Sequence, residues 1–135
     1  MNLVSTRIIT DNVSALADFY AKLTAGTVVR PHELFAEVHT ASGTLAIGAT
    51  ATVPLFGPGS ARPADNHSVI IEFLVDDVDA EHEKVQKLGV EIVTPPTTMP
   101  WGNRSLLFRD PDGNLVNFFT PVTPDAIEKF ARYER

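Results

Sequence analysis

Arg7 and Glu72 are the two charged residues whose positions suggest chemistry, because they occupy equivalent places in two similar stretches of the chain. The first stretch is VSTRIITDNVSALADFYAKL, beginning at Val4, and the second is VIIEFLVDDVDAEHEKVQKL, beginning at Val69. A charge removed from water is costly unless it is paired and hydrogen-bonded. We therefore expect Arg7 and Glu72 either to anchor the polar part of a ligand or to neutralise each other, and Glu72 is a candidate general base.

Histidines and carboxylates come together in the segment HELFAEVH. Glu37 and His39 share one face of a strand, but His32 has the opposite parity, so the three side chains do not converge. We interpret this segment as a solvated strand face rather than as a metal site. No Ser-His-Asp or Cys-His arrangement and no glycine-rich phosphate loop is recognisable in the sequence.

The composition argues against several classes of partner. The 135 residues carry a net charge of −6, and the 11 Lys and Arg residues are scattered, whereas nucleic-acid binding requires clustered basic residues. No apolar run approaches the roughly 18 residues of a membrane span, and the N-terminus MNLVSTRIIT lacks a secretory pattern. Without cysteine the chain can form neither disulfides nor thiolate metal sites. We expect a cytoplasmic protein whose partner is a small organic molecule, not nucleic acid or a membrane.

The two similar stretches predict the same element order. Each opens with a β-rich run, residues 4–10 and 69–75, and continues with a polar pair, Asp11–Asn12 or Asp76–Asp77, that supplies helix-start acceptors. A helix-period pattern follows, with apolar positions Leu16, Phe19, Tyr20 and Leu23 in the first copy and Val78, His82, Val85 and Leu88 in the second. Gly89 is placed to end the second helix in a left-handed conformation.

Strands are predicted after each helix. The DPDG segment, residues 110–113, lies between SLLFR and NLVNFF and predicts a tight hairpin turn, and its first-half counterpart ends at Gly43. We therefore expect one domain made of two βαβββ repeats, about residues 1–50 and 67–121. The Pro-, Gly- and Ala-rich residues 51–66 predict a linker or an ordered loop.

The C-terminal residues 123–135 predict a final helix. Thr123 is placed as its N-cap and Pro124 in its first turn. The apolar stripe of this helix, formed by Ile127, Phe130 and Ala131, is expected to dock on the domain or on a partner subunit.

The segment WGNRSLLFRDPDGNLVNFF, which follows VIIEFLVDDVDAEHEKVQKLGVEIV, resembles the C-terminal half of the vicinal-oxygen-chelate group. That group includes glyoxalase I, extradiol dioxygenases, and bleomycin- and fosfomycin-resistance proteins. The segment RIITDNVSALADFYAKL resembles the opening βα unit of the same group. The resemblance implies an α+β fold of two βαβββ modules that form a curved, incomplete barrel-like sheet, with helices outside and a ligand cavity inside. The fold itself hosts many chemistries.

The resemblance also implies four metal-ligand positions. In metal-dependent members, His, Glu or Gln from the first and fourth strands of each half bind a divalent ion that activates a substrate oxygen. The corresponding positions in this chain are Ser5, Ile47, Ile70 and Asn117. Two are aliphatic and none is ionisable near neutral pH, so we expect the metal site to be absent and no cofactor to be required.

Alternation along the strands then predicts the cavity lining. The lining comprises Ser5, Arg7, Ile9, Leu45, Ile47, Ala49, Ile70, Glu72, Leu74, Leu115, Asn117 and Phe119. The opposite faces, with Ile8, Ile71, Phe73, Val75, Val116 and Phe118, are expected to pack beneath the helices. Trp101 in the loop PWGNR is expected at the cavity mouth, and Phe35 and Phe56 are further aromatic candidates. The predicted ligand-binding residues are Ser5, Arg7, Ile47, Ile70, Glu72, Trp101, Asn117 and Phe119.

Three functions are consistent with these features. The favoured one is a metal-independent member that binds a partly aromatic or apolar organic molecule, as a homodimer by resemblance to bleomycin-resistance proteins. The alternative is a metal-dependent lyase, isomerase or dioxygenase, which requires bound Zn, Ni, Mn or Fe. The third is metal-free acid–base catalysis through Glu72. The sequence leaves the identity of the ligand open.

Overall fold

The order strand–helix–three strands occurs twice in the computed structural model, which describes residues 1–135. The chain divides into two units, residues 1–66 and 67–135. Each unit contains one four-stranded mixed sheet, so the α+β class and the repeated module predicted from the sequence are confirmed. No helix is both long and apolar enough to cross a membrane.

The first unit contains β1 (Ser5–Thr10), α1 (Val13–Leu23), β2 (Thr27–His32), β3 (Phe35–His39) and β4 (Thr44–Ala49). Its strand order is β1-β4-β3-β2, with β1 parallel to β4 and the other neighbours antiparallel. A parallel pair needs a long crossover connection, and here α1, β2 and β3 provide it.

Helix α1 begins where the sequence predicts, because the side chain of Asn12 accepts a hydrogen bond from the Ala15 backbone N–H at 3.0 Å. Its apolar face is buried against the sheet, with Leu16 and Tyr20 almost fully inaccessible. Burial of this face, rather than intrinsic helix propensity, supplies most of the stability of so short a helix.

The segment between the two repeats is more regular than a simple loop. It contains a 3₁₀ turn at Thr50–Thr52 and a short helix, α2 (Val53–Phe56). Pro54 lies in the first turn of α2, where its missing N–H costs no hydrogen bond. Gly57, at φ 139°, ends the helix. The ordered part of residues 51–66 therefore holds Phe56 in a defined position.

The second unit contains β5 (Ile70–Leu74), α3 (Val78–Gln86), β6 (Ile92–Thr98), β7 (Asn103–Arg109) and β8 (Leu115–Pro121). Its strand order, β5-β8-β7-β6, repeats that of the first unit, and β5 is parallel to β8. The repetition extends to the helix start, since the Asp77 carboxylate accepts hydrogen bonds from two backbone N–H groups of the first turn of α3. Gly89 has the predicted left-handed conformation, with φ 71°.

Three aromatic rings form the core beneath α3. The ring of Phe118 makes edge-to-face contacts with Phe73 and Phe108, with centroid distances of 5.6 Å and 5.1 Å. The sequence predicts that Phe118 faces the helices. The backbone N–H of Val78, at the start of α3, donates to the hydroxyl of Thr120, and Thr120 shares its face of β8 with Phe118 because the two are two residues apart. The α3 side of β8 is therefore the side of Phe118.

The turn between β7 and β8 is fixed by its own side chains. One carboxylate oxygen of Asp110 accepts from the backbone N–H groups of Asp112 and Asn114, both at 2.9 Å. The other oxygen accepts from the Asn114 side-chain amide at 2.8 Å. Gly113 supplies the positive φ, 83°, that the turn requires. These bonds fix the register with which β8 presents its side chains.

The final helix, α4 (Pro124–Phe130), is shorter than the predicted segment 123–135. Thr123 is its N-cap and accepts from the Ala126 backbone N–H at 3.4 Å. Its packing differs from the predicted stripe, because Ala126 is buried whereas Ile127 is 48% exposed. Phe130 is the predicted stripe residue that makes an aromatic contact, with Phe119 of β8.

An exposed ion pair joins α3 to β7 and gives the fold a weak sensitivity to acid. Two nitrogens of Arg104 donate to the two carboxylate oxygens of Asp79 at 2.9 Å and 3.0 Å, and this hydrogen bonding lowers the pKa of Asp79. The ionised form therefore stabilises the fold above the ordinary pKa of Asp, and that contribution disappears as the pH falls through the lowered value.

We expect the urea midpoint of Asp79→Asn to lie below that of the parent at neutral pH. The difference should vanish in acid, below the pKa of the paired Asp79. Parallel urea titrations over a pH series measure it. A constant difference at every pH would mean that the substitution acts through something other than ionisation.

Candidate functional site

Each sheet has a far face, which is the side turned away from α1 in the first unit and from α3 in the second. Because Thr120 and Phe118 point toward α3, alternation places Leu115, Asn117 and Phe119 on the far face of β8. Register pairing adds Glu72 beside Asn117 and Ser105 beside Phe119. The far face of the second unit is thus polar at its centre and aromatic next to it.

Glu72 and Asn117 are joined by a hydrogen bond. The amide nitrogen Nδ2 of Asn117 donates to Oε2 of Glu72 at 2.7 Å. Glu72 is exposed, whereas Asn117 is buried. The buried side chain of Asn117 therefore orients the accessible carboxylate of Glu72. The bond uses the amide nitrogen of Asn117, so its carbonyl oxygen Oδ1 takes no part in it.

Three polar atoms on this far face are buried without a partner, and one of them is Oδ1 of Asn103, at the start of β7. The other two are the carbonyl oxygen Oδ1 of Asn117 and the hydroxyl Oγ of Ser105, and Ser105 is only 1% exposed. A buried polar atom left unpaired costs about 1–3 kcal/mol. Such atoms are rare in native proteins and call for an explanation. Here the atoms of Asn117 and Ser105 flank Phe119, one on its own strand and one on the neighbouring strand.

Helix α4 lies over the same far face. The ring of Phe130 packs against Phe119 at a centroid distance of 5.0 Å. The start of α4 is held by Gly102, whose carbonyl accepts from the backbone N–H groups of Val122 and Thr123 at 2.9 Å and 3.2 Å. The tail continues to Arg135, whose guanidinium lies 3.4 Å from Asp76. The C-terminal segment is therefore part of the surroundings of Phe119.

Arg7 lies on the far face of the first unit. It pairs in register with Ala46, and Ala46 pairs in turn with Glu37, so the three share one face. Its guanidinium lies over the rings of Phe35 and Phe56. Glu72 is bound by Asn117 within the second unit, and the expected approach of Arg7 and Glu72 to each other stays a prediction.

The position predicted for Ile47 is wrong. Ile47 pairs with Ile8 on one side and with Ala36 on the other, so it lies on the opposite face from Ser5 and Arg7 and is fully buried there. Leu45 and Ala49, two residues away on the same strand, are on that face for the same reason. Ala46 pairs with Arg7 in the first unit as Asn117 pairs with Glu72 in the second, so Ala46 is the equivalent of Asn117. The error was a one-residue shift in aligning the fourth strands.

The remaining predicted ligand-binding residues are accessible. Ser5 is exposed on the same face of β1 as Arg7, and Ile70 is 46% exposed at the start of β5. Trp101 is 68% exposed in the turn between β6 and β7. Their contact with a ligand stays a prediction. His39 lies 3.4 Å from Glu37, an accessible pair, as expected for a solvated strand face.

The donor atoms at the four metal-ligand positions implied by the resemblance do not fit a divalent metal ion. With the corrected register they are the hydroxyl of Ser5 and the amide of Asn117, together with the aliphatic side chains of Ala46 and Ile70. The amide nitrogen of Asn117 already donates to Glu72, which leaves one neutral oxygen. Nowhere in the chain do three or more His, Cys, Asp or Glu side chains form a group that could hold a metal. Zinc sites use three or four such ligands.

Sequence reasoning missed Ser105, Phe130 and the pairing of Arg7 with two aromatic rings. Ser105 shares the far side of β7 with Asn103, Leu107 and Arg109, and its place beside Phe119 was detectable once the face of β8 was known. Phe130 and Phe56 reach their partners through the directions of short helices, which periodicity does not specify.

A model of the Glyoxalase/Bleomycin resistance protein/Dioxygenase superfamily matches residues 2–118. Among solved structures, a family enzyme of that description from Burkholderia phytofirmans PsJN is similar at a TM-score of 0.80 and 17% identity, over 90% of this chain and 100% of that chain. A member from Sphaerobacter thermophilus DSM 20745 has a TM-score of 0.70 and 26% identity, over 89% of this chain and 97% of the other.

A curated relative, the Bacillus subtilis (strain 168) protein named "Uncharacterized protein YwbC", is 34% identical over 64 residues. The match covers 47% of this chain and 51% of that protein, about half the length of each.

Proposed function

Because the chain belongs to the Glyoxalase/Bleomycin resistance protein/Dioxygenase superfamily, whose fold supports many chemistries, we propose that it binds a partly apolar organic ligand without a metal ion. The observation that carries the proposal is the Glu72–Asn117 hydrogen bond at 2.7 Å. Asn117 stands at one of the four positions that bind the metal in metal-dependent relatives. The bond uses its amide nitrogen and leaves its buried carbonyl oxygen without a partner. A single neutral oxygen falls short of the three or four ligands of a zinc site, but it can accept a hydrogen bond from a ligand.

The far face of the second unit has the composition of an organic-ligand site. Small-molecule sites combine apolar and aromatic walls with a few polar groups that fix orientation. Phe119 supplies the aromatic surface, and the unpaired atoms of Asn117 and Ser105 supply one acceptor and one hydroxyl. A ligand with an O–H or N–H group on a flat apolar body would pair the carbonyl of Asn117 and recover the cost of leaving it unpaired.

The proposal makes α4 a competitor of the ligand. Phe130 occupies one side of Phe119 in this structure. Because Phe119 is only 7% exposed, a ligand that stacks on its ring has to displace Phe130. Short terminal helices open at low free-energy cost compared with core strands, so displacement is accessible without global unfolding.

We expect p-cresol to bind more tightly than its methyl ether, 4-methylanisole, by about fivefold, because the ether lacks the donor for Asn117. In Asn117→Leu the two probes should bind equally, since the acceptor is gone and the apolar volume remains. NMR titrations give both dissociation constants, and EDTA should change neither.

Asn2→Leu is the matched control, because it makes the same chemical change at an exposed terminal position. It should keep the parent's preference for p-cresol. Equal binding of the two probes to the parent would overturn the proposed hydrogen bond. Loss of binding in EDTA, restored by a divalent metal, would instead establish a metal-dependent site.

A further inference from the structure

The guanidinium of Arg7 is placed by two aromatic rings of the first unit. Its guanidinium carbon lies 4.8 Å from the ring centroid of Phe35 and 5.4 Å from that of Phe56. Each contact is a cation–π interaction, worth about 0.5–1 kcal/mol at an exposed site. The rings come from different elements, β3 and α2, so the charge is placed by tertiary packing.

Gly48 provides the path for this side chain. A Cβ atom at position 48 would lie 3.3 Å from Nη1 of Arg7 and 3.5 Å from Cδ1 of Ile9. Arg7 therefore extends from β1 across β4 at Gly48, where no side chain blocks it. It reaches toward Phe35, which pairs with Gly48 in register. A larger residue at position 48 would occupy the space that the guanidinium needs.

The hydrogen-bonding edge of Arg7 has no partner within the first unit. The guanidinium carbon lies over two aromatic rings, but the ion pairs in this unit involve other residues: Asp18 binds Arg30, Asp65 binds Arg62, and Glu37 lies beside His39. Arginine has five N–H donors in a planar fork and stays charged at all physiological pH values. Holding such a side chain in one orientation costs rotamer entropy, which an ion pair would normally offset.

We propose that Arg7, Phe35 and Phe56 form a binding site for an organic carboxylate. The fork of Arg7 binds the carboxylate with two parallel hydrogen bonds, a geometry that guanidinium groups favour. Phe56, 65% exposed, contacts the flat apolar part of the same molecule. Phe35 and Gly48 hold the fork in position. The inference uses the first unit alone and does not depend on the p-cresol site proposed above.

The test compares benzoate with benzamide, a neutral probe of nearly the same shape. Benzoate should bind the parent about tenfold more tightly, because a charge-assisted pair replaces a neutral one. Arg7→Met should abolish this preference, and Arg7→Lys should retain a small part of it. Calorimetric titration measures affinity, and the Nε–H resonance of Arg7 should shift with benzoate only.

Gly48→Val tests the positioning without removing the charge. It should reduce the preference for benzoate as Arg7→Met does, and Gly48→Ala should have an intermediate effect because its contact with Nη1 is tight but relievable. Gly43→Val is the matched control, since a Cβ there meets nothing within 4 Å. It should bind both probes as the parent does. Circular dichroism verifies that each variant is folded.

Three results would overturn the inference. Benzoate could fail to bind or bind no better than benzamide, which would exclude a carboxylate site. Arg7→Met could keep the preference, which would place the anion elsewhere. Inorganic phosphate could bind as tightly as benzoate, which would show that Phe56 contributes nothing and that the site takes a simple anion. If p-cresol failed to bind at the other site, the meaning of each of these three benzoate results would not change.

Discussion

Gly102→Ala is expected to lower the free energy of unfolding by about 4 kcal/mol, from backbone strain and overpacking together. Gly102 has φ 94°, a conformation that residues with a side chain rarely adopt. A Cβ at this position would collide with Oγ1 of Thr123 and would lie 3.1 Å from Cβ of Ala126. Neither contact can be relieved cheaply, because Thr123 caps α4 and Ala126 is buried.

Gly113→Ala separates the two causes. Gly113 also has a positive φ, 83°, but a Cβ there would meet nothing within 4 Å. It should therefore show the backbone cost alone, about 1–2 kcal/mol. Urea unfolding of both variants measures the difference, which is the cost of the clash with α4. If the two glycines cost the same, α4 is not packed on the β6–β7 turn as the structure has it.

The clash can also be located by a second substitution. Thr123→Ala removes the oxygen that a Cβ at position 102 would strike, at the cost of the helix cap, about 1 kcal/mol. In the double variant Gly102→Ala/Thr123→Ala, part of the loss caused by Gly102→Ala should be recovered, so the two effects are not additive. Strict additivity would place the strain elsewhere.

The fold could be read from the sequence because its signals are local and occur twice. The pairs Asp11–Asn12 and Asp76–Asp77 mark helix starts, and the DPDG turn defines a hairpin, each through hydrogen bonds within a few residues. Strand alternation correctly assigned Phe73, Val116 and Phe118 to the side beneath α3. These features require no knowledge of distant contacts.

The candidate site was harder because it depends on register between strands far apart in the chain. Aligning Gly43 with Gly113 put Ile47 in the place that Ala46 occupies, and one residue reverses the face of a strand. In the second unit the alternation correctly put Asn117 and Glu72 on one face, where they pair in register, and their contact with a ligand stays a prediction. The contacts of Arg7 with Phe56 and of Phe119 with Phe130 depend on helices that the sequence leaves free to dock in several ways.

Phe118 and Phe119, adjacent on β8, point to opposite sides of the sheet, and truncating each should separate folding from binding. Phe118→Ala should lower the free energy of unfolding by about 4 kcal/mol, because the ring is 2% exposed and contacts two others in the core. Phe119→Ala should cost about 2 kcal/mol, since α4 covers that ring and can settle into the space left. Denaturant titrations measure both values.

Binding of p-cresol should follow the opposite order. Phe119→Ala should raise its dissociation constant about tenfold through the loss of aromatic contact. Phe118→Leu, which keeps most of the core volume and the fold, should leave that constant within about twofold of the parent value. If Phe118→Leu weakened binding as much as Phe119→Ala, the ligand would lie on the α3 side of β8. Asn117 and Ser105 could not then be its partners, because they face the other way.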